Sequence, residues 1–80
     1  MKTVYKTAGV CADAIAVEVE DSVIRSVSFS GGCDGNLQGI SRLVPGMEAK
    51  RVIELFEGIK CGRKSTSCPD QLAKALKSVL

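Results

Sequence analysis

The stretch Ala14-Ile15-Ala16-Val17-Glu18-Val19-Glu20-Asp21-Ser22-Val23-Ile24-Arg25-Ser26-Val27-Ser28-Phe29 decides the fold. Over residues 14–19, Ile15, Val17 and Val19 fall on one side and Ala14, Ala16 and Glu18 on the other. A period of two is that of a half-buried strand. Glu20-Asp21 forms a polar break, and alternation resumes over residues 22–29 with Val23, Val27 and Phe29 on one face and Arg25 as the exception. Two alternating runs around a short polar break read as a hairpin, here without the glycine that favours tight hairpin turns. Upstream, residues 3–7 are short and rich in Thr, Val and Tyr, which suits a third strand.

Downstream the period changes. Gly31-Gly32-Cys33-Asp34-Gly35 ends the strand pattern, and Leu37, Ile40, Leu43 and Val44 then recur at helical spacing over residues 36–44. Asp34 suits the N-cap of this helix, and Pro45-Gly46 stops it. A second helix is expected over residues 47–57, with Val52, Ile53, Leu55 and Phe56 as its buried side and Gly58 as its stop. A Gly-, Lys-, Ser- and Thr-rich loop follows over residues 59–67. The last helix starts at Pro69, where a missing N–H costs nothing, and carries Leu72, Leu76 and Val79 as its apolar stripe. Strands followed by helices predict an α+β fold: a three-stranded antiparallel sheet with three helices packed on one face.

The chain of 80 residues makes one domain, residues 1–80, with 45% hydrophobic and 25% charged residues. Its aromatics are few (Tyr5, Phe29 and Phe56), so the core rests on Val, Ile, Leu and Ala. A domain this small has a thin margin of stability and often adds a metal, a disulfide or a partner subunit; a homodimer fits the same need. The net charge of +2 gives no case for nucleic acid, and the local cluster Lys60, Arg63 and Lys64 reads as a solvated loop. There is no apolar run of membrane-spanning length and no secretory h-region at the N-terminus, so a cytoplasmic location is expected. In that compartment grouped cysteines point to metal or redox chemistry more than to structural disulfides.

Chemistry therefore centres on Cys11, Cys33, Cys61 and Cys68. No histidine is present, which removes Ser-His-Asp and Cys-His schemes, and no phosphate-loop motif occurs. All four cysteines fall at the ends of expected elements instead of on an interior face. Cys33 stands beside the start of the first helix, and Cys68 is expected as the N-cap of the last. The positive end of a helix and nearby cations favour a thiolate, the form that binds metal and attacks disulfides. Four thiolates match a closed tetrahedral zinc site and equally an iron–sulfur cluster. There is no CxxC knuckle; Cys61 and Cys68 are separated by six residues, and Cys11 and Cys33 are isolated. Three readings stay open: metal or cluster ligands, redox-active thiols with Cys61 and Cys68 as a dithiol, or disulfides and incidental cysteines. Asp13, Asp34 and Asp70 each lie within two residues of a cysteine, as substitute ligands or as caps, and Asn36 and Gln38 suit the lining of the same pocket.

The run Thr66-Ser67-Cys68-Pro69-Asp70 spells the name of the TSCPD domain family, which the chain resembles along nearly its whole length. Gly31-Gly32-Cys33-Asp34-Gly35-Asn36-Leu37, Leu43-Val44-Pro45-Gly46, Gly58-Ile59-Lys60-Cys61-Gly62 and Gln71-Leu72-Ala73-Lys74-Ala75-Leu76 agree with it. The resemblance is to small four-cysteine proteins without an assigned activity. A related module ends some vitamin B12-dependent ribonucleotide reductases. It implies metal binding through Cys11, Cys33, Cys61 and Cys68 and supplies no reaction; a protein partner, not identified by the sequence, is expected for such a module. A weaker likeness is to U-type iron–sulfur cluster scaffolds, which have a cysteine entering a strand, a Gly-Cys-Gly-like loop opening a helix, and a late cysteine before a C-terminal helix. The chain departs from them in its extra cysteine, its lack of a histidine and its shorter helical half. A fourth thiolate fills the position a scaffold leaves for transfer and favours a closed site.

Overall fold

A computed structural model describes residues 2–10, 12–31 and 34–80, with the backbone alone at Asp34. The elements run β1 (Lys2–Lys6), β2 (Ala12–Glu20), β3 (Val23–Gly31), α1 (Asp34–Leu43), α2 (Ala49–Phe56) and α3 (Cys68–Lys77). The strands form one sheet in the order β1-β2-β3, and both pairings are antiparallel. The α+β architecture read from the periodicities is the one found.

The turn joining β2 to β3 consists of Asp21 and Ser22 alone, with φ of 52° and 67°. Positive φ at both central residues is the requirement of a type I′ turn, whose twist matches that of the strands it joins. Asp tolerates this region better than most residues, so the hairpin closes without glycine.

Arg25 has a structural cause for breaking the alternation. Val19 pairs with Ile24 and Glu18 with Ser26, which leaves Arg25 without an opposite residue. This is a β-bulge, and it resets the side-chain period by one. Ile24 and Val27 therefore both enter the core, Arg25 and Ser26 both stay outside, and Val23 is only half-buried. A second bulge places Asp13 between the pairs Ala12–Gly31 and Ala14–Ser30.

The core lies between the sheet and the helices. It gathers Ile15, Val17 and Val19 from β2, Ile24 and Val27 from β3, Val44, Ala49 and Val52 around α2, and Leu72, Ala75 and Leu76 from α3. Fully burying one such branched side chain contributes roughly 1.5–3 kcal/mol. The opposite face of the sheet is cheap to leave bare: it presents Lys2, Val4 and Lys6 on β1 and Ser26, Ser28 and Ser30 on β3.

The helical stripes are narrower than the sequence suggests. Leu43 closes α1 but is 70% exposed, while Val44, one residue on, is fully buried. The chain reverses there: Met47 N–H donates to the Val44 carbonyl at 3.0 Å, and Gly46 takes a φ of 96° that the turn requires. The same turn lies along β3, with Ile24 N–H donating to the Met47 carbonyl at 2.9 Å and Gly46 N–H to the Ile24 carbonyl at 2.8 Å. In α2, Ala49, Val52, Ile53 and Phe56 follow the i, i+3, i+4, i+7 pattern and turn inward. Leu55 falls outside that pattern and is exposed, against expectation. Among the described residues no helix is long and apolar enough to cross a membrane.

Candidate functional site

The site is built from the segment that leaves α2 and enters α3. Gly58 ends α2 with a φ of 87°. Cys61 N–H then donates to the Thr66 carbonyl at 3.2 Å and Lys64 N–H to the Cys61 carbonyl at 3.0 Å, which closes a tight turn. Ser67 caps α3: its Oγ accepts from Asp70 N–H at 3.1 Å and donates to the Ile59 carbonyl at 2.7 Å. Cys68 is therefore the first residue of the helix and not its N-cap as expected. A hydroxyl is the better cap because a thiol is a weak acceptor. The division of labour leaves the Cys68 thiol free.

Beneath this turn lies a buried polar network. Thr66, Ser67, Asp70 and Gln71 are all buried. Asp70 Oδ1 accepts Gly58 N–H at 2.8 Å, and Asp70 Oδ2 accepts the Thr66 hydroxyl and faces Lys74 Nζ at 3.8 Å. Gln71 Nε2 donates to Thr66 Oγ1 at 2.9 Å, and Gln71 Oε1 accepts Ala8 N–H at 3.2 Å. The Thr66 hydroxyl bond and the Gly58 N–H hold the Asp70 carboxyl below its ordinary value, burial opposes them, and Lys74 and Lys77 assist. No buried side-chain nitrogen or oxygen among the described residues lacks a partner.

Both thiols open onto one cleft of about 340 Å³. Cys61 is exposed and Cys68 half-buried, and neither is in a disulfide. The cleft is also lined by Val10, which precedes Cys11 in the chain, and by Asn36, on the first turn of α1 after Cys33. Lys64 stands at its edge. Leu37, Ile40 and Pro69 make the rest of its wall mostly apolar. Cys11 and Cys33 themselves lie outside the described residues.

The other candidates separate. Asn36 lines this cleft, but Gln38 faces a different recess against β3, because two residues turn a helix by roughly 200°. Asp70 offers no free oxygen, since both are committed within the network. Asp13 is exposed at its bulge, and the Asp34 side chain lies outside the described residues. Lys60, Arg63 and Lys64 are exposed and form no ion pair among the described residues. Among the described residues no three Cys, Asp or Glu come together as a metal site; of the four cysteines expected as ligands, Cys61 and Cys68 are the two whose place is described, and they share one cleft. Among the described residues, the side chains lining the cleft include two thiols, the Asn36 amide and the Ser67 hydroxyl but no carboxylate, and thiolates suit zinc or an iron–sulfur cluster.

Thr66 and Gln71 are not legible in the sequence as members of this network. A signal was present, because Ser67-Cys68-Pro69-Asp70 is a Ser-x-x-Asp cap sequence ahead of an apolar run. It points to Ser67 and Asp70 but not to their neighbours.

The TSCPD domain family model matches residues 1–80. Comparison with curated proteins and with solved structures yields no match.

Proposed function

The chain belongs to the TSCPD domain family over residues 1–80, and we propose that it is a small metal-binding protein in which Cys11, Cys33, Cys61 and Cys68 hold zinc or an iron–sulfur cluster. One observation carries this reading. A single cleft is lined by Cys61 and Cys68 and also by Val10 and Asn36, which stand one and three residues from Cys11 and Cys33 in the chain. Three segments distant in sequence, around Val10, around Asn36 and over residues 61–69, thus contribute to one wall. Mostly apolar surroundings, with no carboxylate among the described lining residues, favour sulfur as the donor. When bound, the ion or cluster would crosslink the turn at Cys61 to the start of α3 and supply stability that a core of this size lacks. The protein would serve an unidentified protein partner in the cytoplasm, with no role for a membrane.

Anaerobic purification followed by elemental analysis and a visible spectrum tests the reading. A colourless sample with stoichiometric zinc, or a brown one with iron and sulfide, supports it. A chain that carries neither, and melts at the same temperature with and without chelator, sinks it.

A second reading has one observation in its favour: Cys61 and Cys68 line the same cleft with Cys68 opening α3, which suits Cys68 as the attacking thiol and Cys61 as its resolving neighbour. The two would form a redox dithiol. Thiol titration separates the readings, since a dithiol shows two fast thiols without metal release and a metal site shows slow, coupled reaction of all four.

A further inference from the structure

We propose that Gln71 is the positioning residue that fixes the loop between β1 and β2 against the segment carrying Cys61 and Cys68. The proposal rests on the four-cysteine reading and deepens it. Among the described residues, the Ala8–Gln71 hydrogen bond at 3.2 Å is the one polar link between this loop and residues 58–71, and it spans 63 positions of sequence. Ala8 stands three residues before Cys11. Gln71 stands three residues after Cys68, on the same helix.

The orientation of the Gln71 amide is forced by its neighbours. An ionised carboxylate only accepts, so the Thr66 hydroxyl spends its proton on Asp70 Oδ2. Thr66 Oγ1 is then left as an acceptor and requires the NH2 end of Gln71, at 2.9 Å. The carbonyl end must point the other way, toward the Ala8 N–H, which can only donate. A flipped amide would set acceptor against acceptor and donor against donor. The donor chain Ala8 to Gln71 to Thr66 to Asp70 thus has one direction, anchored by the buried carboxylate. Gly9 adds a steric fit: a Cβ there would lie 3.3 Å from Thr66 Cγ2, so the loop approaches Thr66 closely where Gly9 takes a φ of 73°.

A mere cap on α3 needs only Ser67. The second end of the Gln71 amide, on Ala8 N–H, holds the loop at a set distance from the α3 N-terminus. Groups that orient metal ligands from outside typically govern metal affinity by about 10–100-fold.

The test uses cobalt(II) as a spectroscopic substitute for zinc on the whole chain. Wild type is expected to show the charge-transfer absorption of four thiolates. Gln71→Met keeps size and helix propensity but removes both bonds. It is expected to show a three-thiolate spectrum that overlays that of Cys11→Ser, with cobalt binding weakened about tenfold or more. Thr66→Val should follow Gln71→Met, and Thr66→Ser, which keeps the hydroxyl, should restore the wild-type spectrum. A Gln71→Met spectrum and affinity equal to wild type overturn the role of Gln71 and leave the four-cysteine reading standing. A wild-type chain that, once stripped of metal, takes up neither cobalt nor, on reconstitution, iron and sulfide overturns both. If Gln71→Met does not fold, the unaltered chain decides. Coupling is reciprocal, so metal loading must slow hydrogen exchange at the Ala8 amide by the same factor by which the bond aids binding. Unchanged exchange at Ala8 refutes the proposal.

Discussion

Replacing Asp70 with asparagine keeps the shape of the side chain and removes its charge, so the cost measures the polar network without opening a cavity. The carboxylate accepts Gly58 N–H at 2.8 Å on one oxygen and the Thr66 hydroxyl on the other. Asparagine keeps one oxygen, and if this stays on Gly58 its NH2 faces Thr66. Thr66 Oγ1 already accepts from Gln71 Nε2, so its own proton is left in a buried site with no acceptor. Bonds to a charged group contribute about 1.5–3 kcal/mol each and neutral ones about 0.5–1.5, so exchanging the Gly58 bond for a neutral one costs about 1 kcal/mol. An unsatisfied buried hydroxyl adds about 1–3 kcal/mol, for a total of about 2–4 kcal/mol. For a chain of this size that is a large part of a typical stability of roughly 4–12 kcal/mol. Urea titration should show a lower midpoint at an unchanged slope, and the melting temperature should fall by roughly 10–25 °C. The pH dependence supplies the check. The folded carboxyl of Asp70 lies below its unfolded value of 3.8, so the stability it confers is complete above that pH and is lost as pH falls through the folded value. The gap between wild type and Asp70→Asn should therefore be widest near neutrality and shrink in acid. A gap under about 0.5 kcal/mol at pH 7 would mean that the network contributes no more than an ordinary surface site.

Other outcomes follow from the same structure. Ser67→Ala removes the cap on Asp70 N–H and the donor to the Ile59 carbonyl, and should cost about 1–2 kcal/mol in urea denaturation. Ile24→Ala should cost about 2–5 kcal/mol, as a fully buried side chain does, whereas Val23→Ala should cost less because Val23 is only half-buried; equal costs would contradict the bulge at Arg25. Asp21→Asn combined with Ser22→Gly should stabilise the hairpin by about 0.5–1 kcal/mol in the same assay, because both positions hold positive φ. Metal removal by chelator should lower the melting temperature of wild type, and Cys61→Ser or Cys68→Ser should abolish that difference.

Much of the architecture is legible in the sequence because it depends on local spacing. The alternation at Ile15, Val17 and Val19 identifies β2, and the switch to helical spacing at Leu37 and Ile40 identifies α1. Where alternation fails, at Arg25, the strand continues through a bulge, a property of the register between two strands and invisible in either alone. Leu43 and Val44 illustrate the same boundary. Both satisfy a helical stripe, yet the Pro45-Gly46 reversal turns only Val44 into the core.

The site divides along similar lines. The cysteines announce themselves by type and by standing at element ends, whereas the cap spacing of Ser67 and Asp70 is present in the sequence but competes with Cys68, the residue expected there as the cap. That Cys61 and Cys68 share a wall with Val10 and Asn36 required the packing of α1 and α3 over the sheet. Gln71 lies furthest from what the sequence shows: a polar residue on an amphipathic helix carries no sign of a partner 63 residues away. Strand and helix periods are imposed by neighbouring residues along the backbone, so composition and order suffice to set them. A hydrogen bond between a loop and a distant helix depends on distances fixed only once the core between them has closed, and that is where this site acquires its form.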